Sequence, residues 1–145
     1  VHQFTVFTVN SPVQHGLAAF LADPSRYETL PQFFAQKRDL FRTLLADVPL
    51  ALLPCAGSYF QLARYDRISD EPAAAFAQRL VAEYGVASIP LSAFYRDGTD
   101  HRVIRFCFAK REETLREAAQ RLARLSAAVR ARGGRARQTA IGEVD

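Results

Sequence analysis

The sequence of 145 residues contains no methionine and only two cysteines, Cys55 and Cys107. This pair fits neither a disulfide framework nor a metal-binding CxxC motif, and it indicates reduced thiols in a cytoplasmic protein. The chain also begins inside an alternating polar and apolar run, with no cap or turn residue before it. Together with the missing methionine, this start predicts that the natural polypeptide extends upstream of Val1.

Long apolar runs are missing as well. The longest, VPLALLP at 48–54, is far below the ~20 residues that a membrane-spanning helix needs. The first residues, VHQFTVFTV, have neither the basic start nor the cleavage signal of a secretory peptide. The sequence therefore predicts neither a membrane span nor a secretory leader.

Several motifs that carry chemistry are also absent. His2, His15 and His101 are scattered, without acidic residues or cysteines at metal-ligand spacing beside them, so a metal site is not expected. The sequence has no GxSxG elbow, no GxGxxG and no GxxxxGK[ST]. A hydrolase-type serine nucleophile and a glycine-rich phosphate loop are therefore not expected either.

Positive charge is concentrated near the C-terminal end. Residues 1–109 hold ten basic and ten acidic groups, whereas residues 110–137 hold nine basic and three acidic ones. The net charge of +4 therefore arises near the C-terminal end and does not indicate a binding face. The segment RARGGRAR leaves nucleic-acid binding open as an alternative, but one short cluster without interleaved aromatic residues favours a solvated tail.

Apolar periodicity and cap residues predict four helices and four strands. Ser11-Pro12 and Ser69-Asp70 are typical of helix starts, and Gly85 is typical of a helix end. The predicted helices are 11–23, 27–48, 71–84 and 112–130; the predicted strands are 50–54, 58–65, 86–89 and 103–110. This order predicts an α+β fold, in which helices cover one side of a small, mainly antiparallel sheet.

The strand VIRFCFAK, Val103 to Lys110, carries a charge in an otherwise apolar run. Alternation places Ile104, Phe106 and Phe108 on one face and Arg105 on the other. A guanidinium on a stiff strand can bind a carboxylate through two parallel hydrogen bonds. An internal ion pair or an exposed strand face explains the same residue, and the residues alone favour that explanation.

Lysine is rare, with two residues, Lys37 and Lys110, against seventeen arginines. Lys37 falls on the apolar stripe of the second predicted helix, where a desolvated amine could act as a nucleophile. The favoured interpretation is that its methylene groups pack on the neighbouring Phe33 and Phe41 while the ammonium reaches solvent. Lys110 is interpreted as a solvated residue at a helix start.

Five stretches in one register carry a resemblance to a known family: VHQFTVFTVNSPVQHGLA, LPQFFAQKRDLFRTLL, PCAGSYFQLARY, YGVASIPLSAFY and VIRFCFAKREETLREAAQRL. Together they resemble the C-terminal part of fold-type I, class I/II aminotransferases that depend on pyridoxal phosphate, in the methionine and kynurenine–glutamine branches. The likeness covers about residues 1–125. It implies a segment from a preceding large domain (1–25), the small C-terminal domain (26–131) and a disordered arginine-rich tail (132–145).

The resemblance also implies which residues contact the substrate. Arg105 matches the arginine that binds the α-carboxylate of the amino or 2-oxo acid. Tyr59, Phe60, Ile89 and Pro90 are expected as walls or supports of the same site, although core packing explains each of them equally well. Phe7 and Thr8 match residues that relatives contribute to the neighbouring subunit's active site. No catalytic or cofactor-binding residue is expected in this chain.

The implied activity belongs to the parent protein. It would move an amino group between an amino acid with a large apolar, aromatic or sulfur-containing side chain and a 2-oxo acid, through pyridoxal phosphate, as a cytoplasmic homodimer. The residues that anchor the cofactor precede the matched region, so this chain by itself is expected to be inactive. The alternative is a catalytically inactive truncated domain that acts as an interaction module.

Overall fold

A computed structural model describes residues 1–5 and 9–141. The chain forms two compact units, Val1–Phe33 and Phe34–Asp145. Within the described ranges, no helix combines the length and apolar character that crossing a membrane requires. The division into 1–25, 26–131 and 132–145 stays a prediction.

The first unit contains two helices, α1 (His2–Thr5) and α2 (Ser11–Leu21), and a 3-10 turn at Pro24–Arg26. The predicted start of α2 is correct, but its cap residue is Asn10 and not Ser11. The Asn10 side chain accepts a hydrogen bond from the Val13 amide at 3.2 Å. Pro12 then occupies the first turn, where its missing N–H costs nothing.

A four-stranded sheet forms the centre of the second unit. Its strands are β1 (Ala51–Leu52), β2 (Phe60–Arg64), β3 (Ile89–Pro90) and β4 (Val103–Cys107). They lie in the order β1-β2-β4-β3, and every neighbouring pair is antiparallel. The predicted α+β fold with an antiparallel sheet is confirmed.

Helices α3 (Leu30–Leu44), α4 (Ala73–Tyr84) and α5 (Glu112–Ile141) supply the rest of the core. The predicted alternation along β4 is confirmed, because Ile104, Phe106 and Phe108 are buried in this core while Arg105 is only half-buried. The helix residues packed in the same cluster are Phe41, Ala73, Phe76, Leu80, Tyr84, Leu115, Ala119, Leu122 and Leu125.

Helix α4 begins at Ala73, so the predicted start at Glu71 with a Ser69-Asp70 cap is wrong. Pro72 is extended, and a residue before proline is disfavoured in the helical region, which keeps Glu71 outside the helix. The first free amide, that of Ala73, donates instead to the carboxylate of Asp100 at 2.6 Å. The predicted end is correct: Gly85 adopts a left-handed conformation with φ of 65°.

Helix α5 continues to Ile141, so its predicted end near Arg130 is wrong. Residues 131–141 are rich in alanine and arginine, which favour helix formation. Gly133 and Gly134 each oppose it by only about 1 kcal/mol. The backbone of 132–141 is therefore helical where the sequence predicts a tail, and residues 142–145 lie outside the described part of the chain.

Candidate functional site

The sheet face opposite the helices carries Arg105 at its centre. In the antiparallel register, Arg105 of β4 lies opposite Leu62 of β2 on one side and opposite Ile89 of β3 on the other. Directly opposed residues of antiparallel strands point to the same face. Arg105 therefore projects between two apolar neighbours, from a strand that has partners on both sides.

Two aromatic rings lie against the Arg105 guanidinium. Its Cζ atom is 4.0 Å from the centre of the Phe60 ring and 4.9 Å from the centre of the Phe94 ring. Both distances are within the range of cation–π attraction. Phe60 lies on β2, and Phe94 ends the 3-10 turn Leu91–Phe94 that follows β3. The two rings thus reach the cation from different parts of the chain.

Arg105 has no counter-ion among the residues that the structure describes. Other arginines of the second unit pair with carboxylates, such as Arg102 with Asp70 at 2.7 Å. The Nε atom of Arg105, in contrast, is buried without a hydrogen-bond partner. Among the described residues, an internal ion pair, one of the two alternatives that the residues alone favoured together, is therefore not what holds this side chain.

A cavity of about 240 Å³ opens beside Arg105. It is lined by Phe60, Ala87, Ser88, Ile89, Arg105, Cys107 and Lys110. Two of these side chains are cations and none is a carboxylate. Within the described part of the chain, the buried side-chain polar atoms that lack a partner are Arg105 Nε and Ser88 Oγ, and both residues line this cavity. Buried polar groups normally have partners, so the cavity is suited to a small anionic ligand.

The predicted site residues separate into four groups. Phe60 and Ile89 line the cavity with Arg105. The half-exposed Tyr59 packs its ring on Phe60, with 4.4 Å between the ring centres. Pro90 lies opposite Ile104 in the register, which places it on the helix-covered face. Phe7 and Thr8 lie outside the described residues. The substrate contacts of all seven stay predictions.

Sequence reasoning missed several residues around Arg105. Cys107 could have been found, since alternation places it on the same face as Arg105. Lys110 was interpreted as merely solvated, yet it lines the cavity. Phe94 could not be found by alternation, because it reaches Arg105 through the path of the loop after β3. None of these three stands out by motif.

The two lysines are connected through the backbone of one of them. The Lys37 ammonium donates a hydrogen bond to the Lys110 carbonyl at 2.7 Å. This bond joins helix α3 to the segment after β4 and gives Lys37 a structural role. No group of three histidine, cysteine or acidic side chains within residues 1–5 and 9–141 could hold a metal ion.

Comparison with known proteins identifies the family. The sequence model of the family "Aminotransferase class I and II" matches residues 2–122. Methionine aminotransferase of Escherichia coli is 48% identical over 126 residues, covering 86% of this chain and 33% of that protein. A kynurenine–oxoglutarate transaminase of Dictyostelium discoideum is 30% identical over 148 residues, covering 86% of this chain and 34% of that protein.

Solved structures agree with the sequence matches. A crystal structure that identifies a methionine aminotransferase function in E. coli has a TM-score of 0.81 and 47% identity, and the match covers 86% of this chain and 33% of that one. N-Succinyldiaminopimelate aminotransferase of Mycobacterium tuberculosis has a TM-score of 0.76 and 30% identity, over 85% and 33% of the two chains. The chain spans about a third of the length of the curated relatives it matches. With the family pattern present from residue 2 to residue 122, the chain belongs to the class I and II aminotransferases.

Proposed function

We propose that this chain is the C-terminal part of an aminotransferase, and that Arg105 binds the α-carboxylate of its amino acid and 2-oxo acid substrates. The most direct support comes from the surroundings of the Arg105 guanidinium. It lines a cavity without acidic side chains, rests on aromatic rings, and has no counter-ion in the described residues. A half-buried cation without an acidic neighbour attracts an anion of matching shape.

A carboxylate fits this cation by geometry as well as by charge. The planar guanidinium offers parallel N–H donors that a carboxylate can accept in pairs. An amino acid and the 2-oxo acid derived from it share the same carboxylate, so one arginine can position both. The second cation at the cavity, Lys110, adds to the positive potential without competing for the planar contact.

The preferred substrate is proposed to carry a large apolar, aromatic or sulfur-containing side chain. The cavity walls at Phe60 and Ile89 are apolar, and the exposed rings of Tyr59 and Phe94 extend the apolar surface beside them. One relative is named for methionine and others for kynurenine and oxoglutarate. These names describe the relatives, and for this chain they support the proposal.

Enzymes of this family use pyridoxal phosphate, which supplies the electron sink for amino-group transfer. The described residues do not form a site for that cofactor. The Lys37 ammonium donates a hydrogen bond to the Lys110 carbonyl. No carboxylate lines the cavity beside Arg105 to face a pyridine nitrogen. We therefore assign the anchoring of the cofactor to parts of the parent protein other than these residues, and positioning of the substrate to Arg105.

The parent protein is further proposed to be a cytoplasmic homodimer. The positions of Phe7 and Thr8 in the family pattern support a site that two subunits share. Interaction as an inactive module has no support among the matched relatives, which are named as aminotransferases.

The test is a substitution of Arg105 in the complete enzyme. Arg105→Ala should raise KM for amino acid and 2-oxo acid substrates by orders of magnitude, because each carboxylate loses a charge-assisted pair of hydrogen bonds. Arg105→Lys should rescue KM only in part, since an ammonium keeps the charge and loses the planar contact. Steady-state kinetics of each half-reaction measures both effects.

Arg64→Ala is the matched control for this substitution. Arg64 lies on the same sheet face, on the neighbouring strand, and its guanidinium is 3.5 Å from the Asp66 carboxylate. It does not line the cavity of Arg105, so its loss should leave both KM values unchanged. If Arg105→Ala behaves like Arg64→Ala, Arg105 does not bind the substrate.

A further inference from the structure

We propose that Phe94 is a positioning residue for Arg105: its ring holds the guanidinium against Phe60 in the orientation that an incoming carboxylate requires. This inference rests on the proposed function of Arg105 and extends it to a residue outside the strands. Its basis is the arrangement of the two rings, whose centres lie 4.0 Å and 4.9 Å from Arg105 Cζ.

An arginine side chain needs such support because it is long and has many rotatable bonds. Fixing it costs conformational entropy, which other arginines of this chain offset by ion pairing, as Arg79 does with Glu71 at 2.7 Å. Arg105 has no such pair within the described residues, and its Nε lacks a hydrogen-bond partner. The aromatic faces are therefore the attractive contacts that the structure provides for the charged group.

Burial in the core does not explain the position of Phe94. Its side chain is 59% exposed, whereas Phe106 and Phe108 of the neighbouring strand are buried. An exposed phenylalanine ring over a cation gains cation–π attraction but little from the hydrophobic effect. Substitution of Phe94 should therefore change the behaviour of Arg105 without unfolding the protein.

The backbone fixes the place from which Phe94 reaches Arg105. Edge strand β3 pairs with β4 through Ile89 opposite Arg105, and the 3-10 turn follows at once. The turn is closed by a hydrogen bond from the Tyr95 amide to the Ser92 carbonyl at 3.2 Å. Because the same strand pairing places both Arg105 and the start of this turn, the ring and the guanidinium keep their relative positions.

The experiment compares Phe94→Leu and Phe94→Tyr in the complete enzyme. Phe94→Leu keeps an apolar side chain but removes the π face, so KM for the amino acid and for the 2-oxo acid should rise by the same factor, roughly three- to thirtyfold. The kcat should stay within about threefold, because the bound carboxylate is the same in the ground and transition states. Phe94→Tyr keeps the π face and should have the same KM as the unsubstituted enzyme.

Two further measurements separate this role from a general structural one. The dissociation constant of an unreactive straight-chain monocarboxylate should rise by the same factor as KM in Phe94→Leu. Tyr95→Leu is the matched control, since Tyr95 is the next residue, is also exposed, and packs its ring on His101 at 5.3 Å. It should leave KM and the dissociation constant unchanged.

A double-mutant cycle decides between positioning of Arg105 and direct contact with the substrate. In an Arg105→Ala background, Phe94→Leu should have no further effect on KM. An equal rise in KM in both backgrounds would overturn the inference, since the ring would then act on the substrate itself. An unchanged KM in Phe94→Leu alone would overturn it too, while a raised KM in Arg105→Ala would still support the proposed function. If Arg105→Ala leaves KM unchanged, the proposed function fails, and the inference fails with it.

Discussion

At the scale of single residues, Tyr65 shows how burial sets a proton affinity in this fold. Its side chain is fully buried, its ring stacks on Phe76 with 4.0 Å between the centres, and its hydroxyl donates to the Glu71 carbonyl at 2.7 Å. Burial disfavours the charged phenolate and raises the pKa of Tyr65 from 10.0 to about 12. The hydroxyl is thus kept as a neutral donor at physiological pH.

This raised pKa predicts a loss of stability in alkali. Between pH 10 and pH 12 the unfolded tyrosine has lost its proton while the folded one keeps it, so rising pH favours unfolding. The free energy of unfolding should fall by roughly 2 to 3 kcal/mol through this window because of Tyr65. Urea unfolding of the chain at a series of pH values measures the effect.

The comparison of two phenylalanine variants isolates this contribution. Tyr65→Phe should be less stable at neutral pH by about 1 kcal/mol, because the hydrogen bond from the buried hydroxyl to the Glu71 carbonyl is lost, and its stability should depend less on pH above 10. Tyr95→Phe removes an exposed hydroxyl and should follow the original chain. Parallel curves for Tyr65→Phe and the original chain above pH 10 would contradict the assignment.

At the scale of elements, the start of helix α4 depends on a residue far along the chain. The Asp100 carboxylate accepts hydrogen bonds from the Ala73 amide at 2.6 Å and from the Arg102 amide at 2.7 Å. It thereby caps the helix and fixes the turn before β4 at the same time. Pro72, which precedes Ala73, has no side-chain acceptor to do this.

Removal of the Asp100 carboxylate should weaken the connection between the start of helix α4 and the turn before β4. Asp100→Ala should lower the free energy of unfolding by about 1 to 2 kcal/mol, as expected for a lost helix cap, and should speed hydrogen exchange of the Ala73 amide. Asp97→Ala is the control, because the Asp97 carboxylate accepts a hydrogen bond from the Thr99 amide within its own exposed turn. Equal losses of stability in the two variants would show that α4 does not depend on Asp100.

The elements that sequence reasoning identified are those whose signals are local. The alternation along β4 follows directly from apolar spacing, and it is correct in the structure. The start of α4 was misplaced although Pro72 is a local signal against a helical Glu71, and its cap, Asp100, lies 27 residues beyond Ala73. Spacing within a segment cannot reveal a partner that only the folded chain brings near.

At the scale of the whole molecule, some residues of the candidate site have a local sequence signal and others do not. Strand periodicity placed Arg105 on the open face, and the family resemblance suggested its ligand. Phe94 and Lys110 escaped prediction because a loop places Phe94 against Arg105 and a strand end brings Lys110 to the cavity. The described residues of the cavity thus combine cations with apolar walls, which agrees with the positioning role proposed for Arg105.

Because cofactor anchoring is assigned to other parts of the parent protein, we expect the 145-residue chain, incubated with pyridoxal phosphate, to form no stable covalent adduct. Its lysines are Lys37, whose ammonium donates to the Lys110 carbonyl, and Lys110, which is exposed at the cavity rim. The cavity that Lys110 lines contains no carboxylate among its described residues, and the hydrogen bond to the Lys110 carbonyl engages the Lys37 ammonium. Borohydride reduction followed by peptide mass spectrometry measures the adduct, and an intact class I/II aminotransferase is the positive control. A stoichiometric adduct on Lys37 or Lys110 would mean that this chain holds the cofactor itself, and the assignment of cofactor anchoring to the rest of the parent protein would be wrong.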